Sequence, residues 1–434
     1  VPFATGNTNV YNFVAVALQE RRIANGRFST AAVDKAVEKH ARIAANRYQS
    51  GTAMLCLRKR HFPPPERACC RRGCQNSSMT TPPAATHQLA VLIGRFQPFH
   101  NGHQVLLRKA LDAAPRVAVV IGSAFQARSP KNPFSWQERA EMIRLSLAEA
   151  DRQRVLVVPM RDHFDEERWF AELRQAIDAA LSARDAPSSP TVLIGHVKDA
   201  TRDYLHGFEG WTLQAAERVH TAGANAVRDA IFGNAKDTPQ TLARAVPAST
   251  LAYLREWMAG PLFAPLAHEW ELLRQHDESW SVAPYPVVLV TVDCVVKCRD
   301  RVLLIRRGHA PGKGLTAVPG GFLEPRETTL QSALRELEEE THLDLPPAAL
   351  LACLASTEVF DRPDRSQRGR TITHGHFFDL GDRALPNVRA DDDAAAAEWV
   401  PVGELCAREE QFLDDHFQML DHFLGLLPRP AGLA

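Results

Sequence analysis

A chain of 434 residues, 45% hydrophobic and 24% charged, is too long for one ordinary core and too apolar to stay disordered. Its 51 basic and 51 acidic side chains cancel, but the first 78 residues are markedly basic, so the remainder is acidic and gives no support to nucleic acid as a partner. No apolar run approaches the length of a membrane span, so no membrane partner is expected, and eight cysteines without finger-like ligand spacing suit free thiols in a reducing, cytoplasmic protein.

Residues 1–84 read as a basic extension with one helical pattern, "TAAVDKAVEKHARIAANRY", followed by "HFPPPERACCRRGC". Cys56, Cys69, Cys70 and Cys74 crowd this segment, but no second pair follows at zinc-site spacing. Met79 suits an initiator, so residues 1–78 are expected to be upstream sequence carried into the frame. An accessory arm is the alternative. From 85 to 238 the apolar runs "QLAVLIG", "VAVVIG", "VLVVPM" and "TVLIG" alternate with helical stretches such as "ERAEMIRLSLAEA" and "RWFAELRQAIDAALSA". That alternation predicts an α/β domain with a mainly parallel sheet covered on both faces. Residues 239–283 predict a connector of two helices, "TLARAVPASTLAYLREWM" and "APLAHEWELLRQH". Residues 284–434 predict an α+β domain, with strands "VVLVTVDCVVKC", "RVLLIRR", "GHFFDL" and "AEWVPV", one long acidic helix, and a closing helix around "EEQFLDDHFQMLDHFLGLL". Cys294 and Cys298 fall in a strand, as small apolar residues.

The first chemical signal is "GRFQPFHNGH", where a strand turns into a helix. A helix start offers unpaired N–H groups and a positive dipole end, Gly102 lets an anion approach, and Asn101 is placed to cap the turn. His100 and His103 are placed to donate to phosphate oxygens, and Val105, Leu106 and Ala110 are expected to pack onto the sheet.

With "IGSAFQARSPKNPFSWQER" downstream, this stretch resembles the nicotinamide mononucleotide adenylyltransferases of the nucleotidyltransferase superfamily, which have a Rossmann-like parallel-sheet domain. The resemblance implies that NMN phosphate attacks the α-phosphate of ATP, giving NAD and pyrophosphate, by positioning and charge stabilisation with magnesium. It implies catalytic roles for His100 and His103, and ATP or NMN contacts from Gly94, Arg95, Phe96, Gly102, Arg128, Lys131 and Asn132. "IGHVKDATRDYL" is similar to the branch fused to a second domain and adds Lys198 and Asp199. Trp169 is a candidate to stack on the nicotinamide ring, with a core aromatic as the alternative. In "TAGANAVRDAIFG", Arg228 matches the family, but Gly223 and Asn225 replace its usual hydroxyl residues. Asn225 can still donate a hydrogen bond.

The second signal is "GGFLEPRETTLQSALRELEEETHL". Glu336, Glu339 and Glu340 stand three and four apart, so one helix face carries three carboxylates, each like-charge pair unfavourable by about 0.2–0.5 kcal/mol unless a divalent cation binds. Oxygen ligands of this kind suit magnesium or manganese, with Leu330, Leu334 and Leu337 on the buried stripe. From Gly321 onward the stretch matches the Nudix box, with Glu327, Arg335 and Leu343 also in place. His342 occupies the last glycine position, at an expected cost of about 1–2 kcal/mol for the left-handed conformation. The resemblance to the bifunctional family's second domain implies ADP-ribose as substrate, bound by Gly320, Gly321, Arg368 and Arg370. Asp392 and Asp393 in "ADDDAAAAEWV" are expected to steer water or metal.

The resemblance therefore implies two reactions, NAD synthesis and hydrolysis of ADP-ribose to AMP and ribose 5-phosphate. It also implies a homo-oligomer formed through the Nudix domain. The alternatives are a Nudix domain that senses ADP-ribose without cleaving it, and a transferase that prefers nicotinate mononucleotide.

Overall fold

Runs of β-branched residues build a five-stranded parallel sheet in the first lobe of a computed structural model. The structure describes residues 87–181, 190–195, 208–216, 222–233 and 238–429. The N-terminal helical pattern, its four cysteines, Met79, Lys198 and Asp199 lie outside the described residues. Residues 80–434 form one compact unit.

The first lobe runs β1 (Leu89–Gly94), α1 (Asn101–Ala113), β2 (Arg116–Ile121), α2 (Trp136–Leu145), α3 (Glu149–Arg152), β3 (Val155–Pro159), α4 (Glu166–Leu181), β4 (Thr191–Gly195), β5 (Thr212–Ala215) and α5 (Ala224–Phe232). The sheet order is β3-β2-β1-β4-β5, so the chain reverses its winding direction between β1 and β4. Ligands of such sheets sit at the carboxyl ends of strands beside this reversal, which is where Gly94 leads into α1. Side chains alternate along β1: Ala90 and Leu92 join the core under α1 and α2, while Leu89 and Val91 join the core under α4. β5 has no apolar signature of its own, since "TLQA" is a mostly exposed edge strand.

Three helices follow instead of the expected two: α6 (Thr238–Ala245), α7 (Ala248–Met258) and α8 (Phe263–Trp280). Pro247 separates α6 from α7, because its ring excludes the helical hydrogen bond and pushes Val246 toward extended backbone. Leu242, Leu254, Trp257 and Leu266 sit in the same core as α1. The helices 239–283 thus pack as part of the first lobe.

The second lobe runs β6 (Leu289–Cys298), β7 (Arg301–Arg307), β8 (Thr316–Ala317), β9 (Gly320–Phe322), α9 (Thr329–Thr341), α10 (Pro347–Leu351), β10 (Leu354–Phe360), β11 (Thr371–Asp379), β12 (Ala394–Pro401) and α11 (His416–Leu424). Its mixed sheet is ordered β10-β11-β6-β7-β12, with β8 on β7 and β9 on β6. β6 is buried on both faces: Val292, Cys294 and Cys298 face α9, and Val295 faces α11. The closing helix is shorter than expected. Residues Val402–Gln411 are 3-10 helix, and α11 starts only at His416 after Asp414 takes a left-handed conformation.

Polar contacts fix the lobes to each other. Arg161 pairs with the buried Glu409 at 2.9 Å, Arg168 pairs with Asp421 at 2.8 Å, and Arg362 donates to the His163 carbonyl at 2.8 Å. Among the described residues no helix is long and apolar enough to cross a membrane.

Candidate active sites

The turn after β1 is shaped by packing. Phe96 takes φ 51° with its side chain buried, and a Cβ at Gly94 would lie 2.9 Å from the Phe96 ring. Gln97 then clamps the second signature stretch: its amide donates to the Phe134 carbonyl at 2.8 Å and accepts from the Phe134 N–H at 3.1 Å. Arg139, fully buried on α2, donates to the carbonyls of Arg95, Gly122 and Ser123, tying the ends of β1 and β2 together. Burial pushes its guanidinium down to about 10, so it stays charged at neutral pH. Neither Gln97 nor Arg139 stood out in the sequence, because a glutamine and an arginine inside polar stretches carry no local mark of burial.

The cap of α1 is His100, not Asn101, whose side chain instead donates to the Arg244 carbonyl at 2.8 Å. The His100 Nδ1 accepts from the Gly102 N–H at 3.1 Å, and the His103 Nδ1 accepts from the His100 N–H at 3.4 Å. A backbone N–H can only donate, so both Nδ1 atoms are unprotonated and each neutral ring carries its proton on Nε2. The rings stack at 3.7 Å. Burial lowers His100 to about 4, which keeps it neutral at pH 7. The capping box therefore sets the tautomer of two adjacent N–H donors. Val105 departs from expectation: it is 41% exposed, and Leu106, Leu107, Ala110 and Leu111 form the buried stripe.

His103 lines a cavity of about 780 Å³ together with Arg95, Lys131, Asn132 and Arg228, while His100 stands one ring behind it. The cavity is cationic. Burial and then the neighbouring Arg95 lower Arg228 to about 10, and burial lowers Lys131 as well. Arg228 is aimed by the Gln97 carbonyl and by Asn225, whose Oδ1 accepts from it at 2.7 Å, so Asn225 is an acceptor here. The Asn132 Oδ1 is buried with no partner. Beside it, Asp162 accepts from the Ser123 hydroxyl and the Gln126 amide at 2.7 and 2.9 Å, and it lines an adjoining cleft with Arg128. Sequence reading missed Asp162, although its place just past β3 was a usable signal. Arg128 points to structure: it pairs with Glu138 at 2.6 Å and donates to the Pro133 carbonyl. Trp169 packs edge-on to Phe170 against the core under α4, as a core aromatic does.

In the second lobe, β9 lies between β6 and α9, and the two explain the paired glycines. A Cβ at Gly320 would clash with the Val292 carbonyl, and one at Gly321 would clash with the Glu336 carboxylate. Glu340 is buried and accepts from the Gly320 N–H at 2.9 Å. Burial, and then the Glu336 charge, raise Glu340 to about 8, and burial raises Glu336. Arg335 gathers the outer acids, pairing with Glu327 at 3.1 Å, Glu336 at 2.9 Å and Glu339 at 2.8 Å. Among the described residues no three His, Cys, Asp or Glu side chains stand ready-grouped for a metal ion. The donor chemistry nevertheless suits a hard divalent cation, because Glu336, Glu339 and Glu340 offer carboxylate oxygens from positions three and four apart on α9.

A NUDIX domain model matches residues 288–423, and a cytidylyltransferase-like model matches residues 91–181. The chain is 30% identical over 190 residues to a nicotinamide/nicotinic acid mononucleotide adenylyltransferase of Acinetobacter baylyi, covering 44% of this chain and 95% of that one. It is 36% identical over 116 residues to an ADP-ribose pyrophosphatase of Methanocaldococcus jannaschii, covering 27% of this chain and 63% of the relative. A crystal structure of a bifunctional NMN adenylyltransferase/ADP ribose pyrophosphatase from Francisella tularensis superposes with TM-score 0.72 at 32% identity, covering 78% of this chain and 99% of that one. The chain belongs to this bifunctional family. A second structure of the Francisella protein, with TM-score 0.71 and 30% identity, holds AMP and a manganese ion.

Within the bifunctional family's frame, the two arginines expected beside ADP-ribose part company. Arg368 is half-buried with its guanidinium 5.2 Å from the Phe322 ring at the end of β9, on the Nudix side. Arg370 donates to the Asp361 carbonyl and lines the cavity of the first lobe. Asp392 is exposed and takes φ 49°, with its N–H donating to the Asp391 carboxylate at 3.0 Å. Asp393 lies 3.9 Å from His309. His342 ends α9 at φ 38°, ψ 51°, the expected left-handed cap, with Nε2 2.8 Å from Asp391. Replacing His342 with glycine relieves about 1 kcal/mol of backbone strain and gives up a surface pair worth less. A slightly raised thermal midpoint is the expected result.

Proposed function

We propose that the chain catalyses adenylyl transfer in its first lobe and diphosphate hydrolysis in its second. The observation that carries the first reaction is the pair of Nε2–H imidazoles beside a cavity lined by Arg95, Lys131 and Arg228. An NMN phosphate oxygen attacks the α-phosphorus of ATP, the bond to the β-phosphate breaks, and pyrophosphate leaves with NAD formed. His103 donates to the phosphate oxygens as charge builds up, and the cations hold the triphosphate. The unpartnered Asn132 Oδ1 is a ready acceptor for a substrate N–H or hydroxyl.

In the second lobe, Glu336, Glu339 and Glu340 would hold magnesium or manganese. Such an ion, when bound, neutralises a diphosphate and lowers the pKa of an attacking water. Arg368 is placed to hold a phosphate oxygen of ADP-ribose while Phe322 backs its guanidinium. Water adds to one phosphorus of the diphosphate, and AMP and ribose 5-phosphate separate. The intact carboxylates and the glycines fitted to them favour hydrolysis over sensing without cleavage. The Acinetobacter relative's name covers both mononucleotides, so nicotinate mononucleotide belongs in the substrate panel. A cytoplasmic location suits the free thiols of Cys294, Cys298, Cys353 and Cys406.

Assays of both reactions on the full chain test this reading. EDTA should reduce ADP-ribose hydrolysis by about 100-fold or more, and added magnesium or manganese should restore it. Saturable ADP-ribose binding with metal present and no AMP released would establish the sensor instead.

A further inference from the structure

The loop joining β10 to β11 belongs to the hydrolase lobe, yet it enters the cavity of the transferase lobe. Its middle is pinned by Arg365, which is buried and bidentate on Asp415 at 2.8 and 2.9 Å. One residue earlier, the Asp364 carboxylate stands 3.6 Å from Arg95 and 3.8 Å from Lys131. The Lys131 ammonium also donates to the Asp364 carbonyl, and the Lys131 N–H donates to the Gln367 side chain at 3.1 Å. Arg95, Lys131, Asp364 and Gln367 line the same cavity as His103. The anchor fixes where the loop sits, while the Asp364 side chain is 51% exposed and its contacts are long. That is a weak, displaceable ion pair laid across the cations that face His103.

We propose that Asp364 is an internal anion, supplied by the hydrolase lobe, that competes with nucleotide phosphate for Arg95 and Lys131 and so sets the affinity of the transferase site. This rests on the reading that those two cations hold phosphate. While the pair is formed only part of the population is competent to bind, and apparent affinity falls by that fraction. The chemistry is unaffected, because the carboxylate leaves as the phosphate arrives.

The test is steady-state adenylyl transfer by the full chain carrying Asp364→Asn, with Asp364→Glu as the conservative variant. Asp364→Asn should lower the KM for ATP by about two- to tenfold with kcat nearly unchanged, and Asp364→Glu should stay near wild type. Tripolyphosphate should inhibit Asp364→Asn more strongly by the same factor, while inhibition by adenosine, which has no phosphate, stays put. ADP-ribose hydrolysis reports that the variants are folded. An unchanged or raised KM in Asp364→Asn overturns the proposal, as does an equal shift for adenosine. Arg95→Gln separates the two claims: if it leaves transfer intact, the reading of the phosphate site fails. If it abolishes transfer and Asp364→Asn gains nothing, only the competition fails.

Discussion

Replacing His103 with alanine should lower adenylyl transfer by about 10²–10³-fold, the usual loss when one preorganised donor to a developing charge is removed. The ring lines the cationic cavity, and its Nε2 carries a proton because Nδ1 is engaged by the His100 N–H. Hydrolysis of ADP-ribose should be retained, since the acid cluster on α9 lies in a separate lobe with a separate core. Alanine also removes the bond that the His100 N–H donates to the His103 ring, while the His100 cap itself stays, so a thermal scan must accompany the assay. His100→Ser isolates chemistry from capping. Serine caps a helix well, so a loss of transfer in that variant belongs to the missing imidazole. Near-normal transfer by His103→Ala would remove the histidine pair from the reaction.

The second large effect is expected at Glu339. Its side chain is 46% exposed and pairs with Arg335 at 2.8 Å. Glu339→Gln should therefore leave the thermal midpoint almost unmoved, since a surface pair contributes about 0–1 kcal/mol. Hydrolysis should nevertheless fall by about 100-fold or more, because metal assistance supplies several kcal/mol to such a reaction and each 1.4 kcal/mol is tenfold. Adenylyl transfer is the internal control. Wild-type hydrolysis in this variant would reduce the acidic stripe to a solvated helix face. Loss of both activities in a folded protein would contradict two independent sites.

Much of this was legible because the chemistry lies in short, contiguous patterns. Spacing alone put Glu336, Glu339 and Glu340 on one face of α9, and the strand–glycine–helix order alone put His100 and His103 at the carboxyl end of β1. Alternation of strands and helices gave the parallel sheet, and the left-handed cap at His342 followed from its place after the last helical residue. These are local consequences of backbone periodicity, which a sequence carries in full.

What it does not carry is which distant segments meet. The sequence pattern reads as one helix running through Pro247, where the chain breaks, and nothing in it marks the packing of α6–α8 into the first lobe's core. No local pattern marked Arg139 as the buried tie between β1 and β2, or Asp162 as a partner of Ser123 and Gln126. Arg368 and Arg370 looked like one anion clamp, yet the loop turns them toward different lobes. The same loop brings Asp364 to Arg95 across a gap of 269 positions in the sequence. A charge has no periodicity by which to find its partner, so only the tertiary fold, by burying some polar groups and aiming others, decides what each one meets.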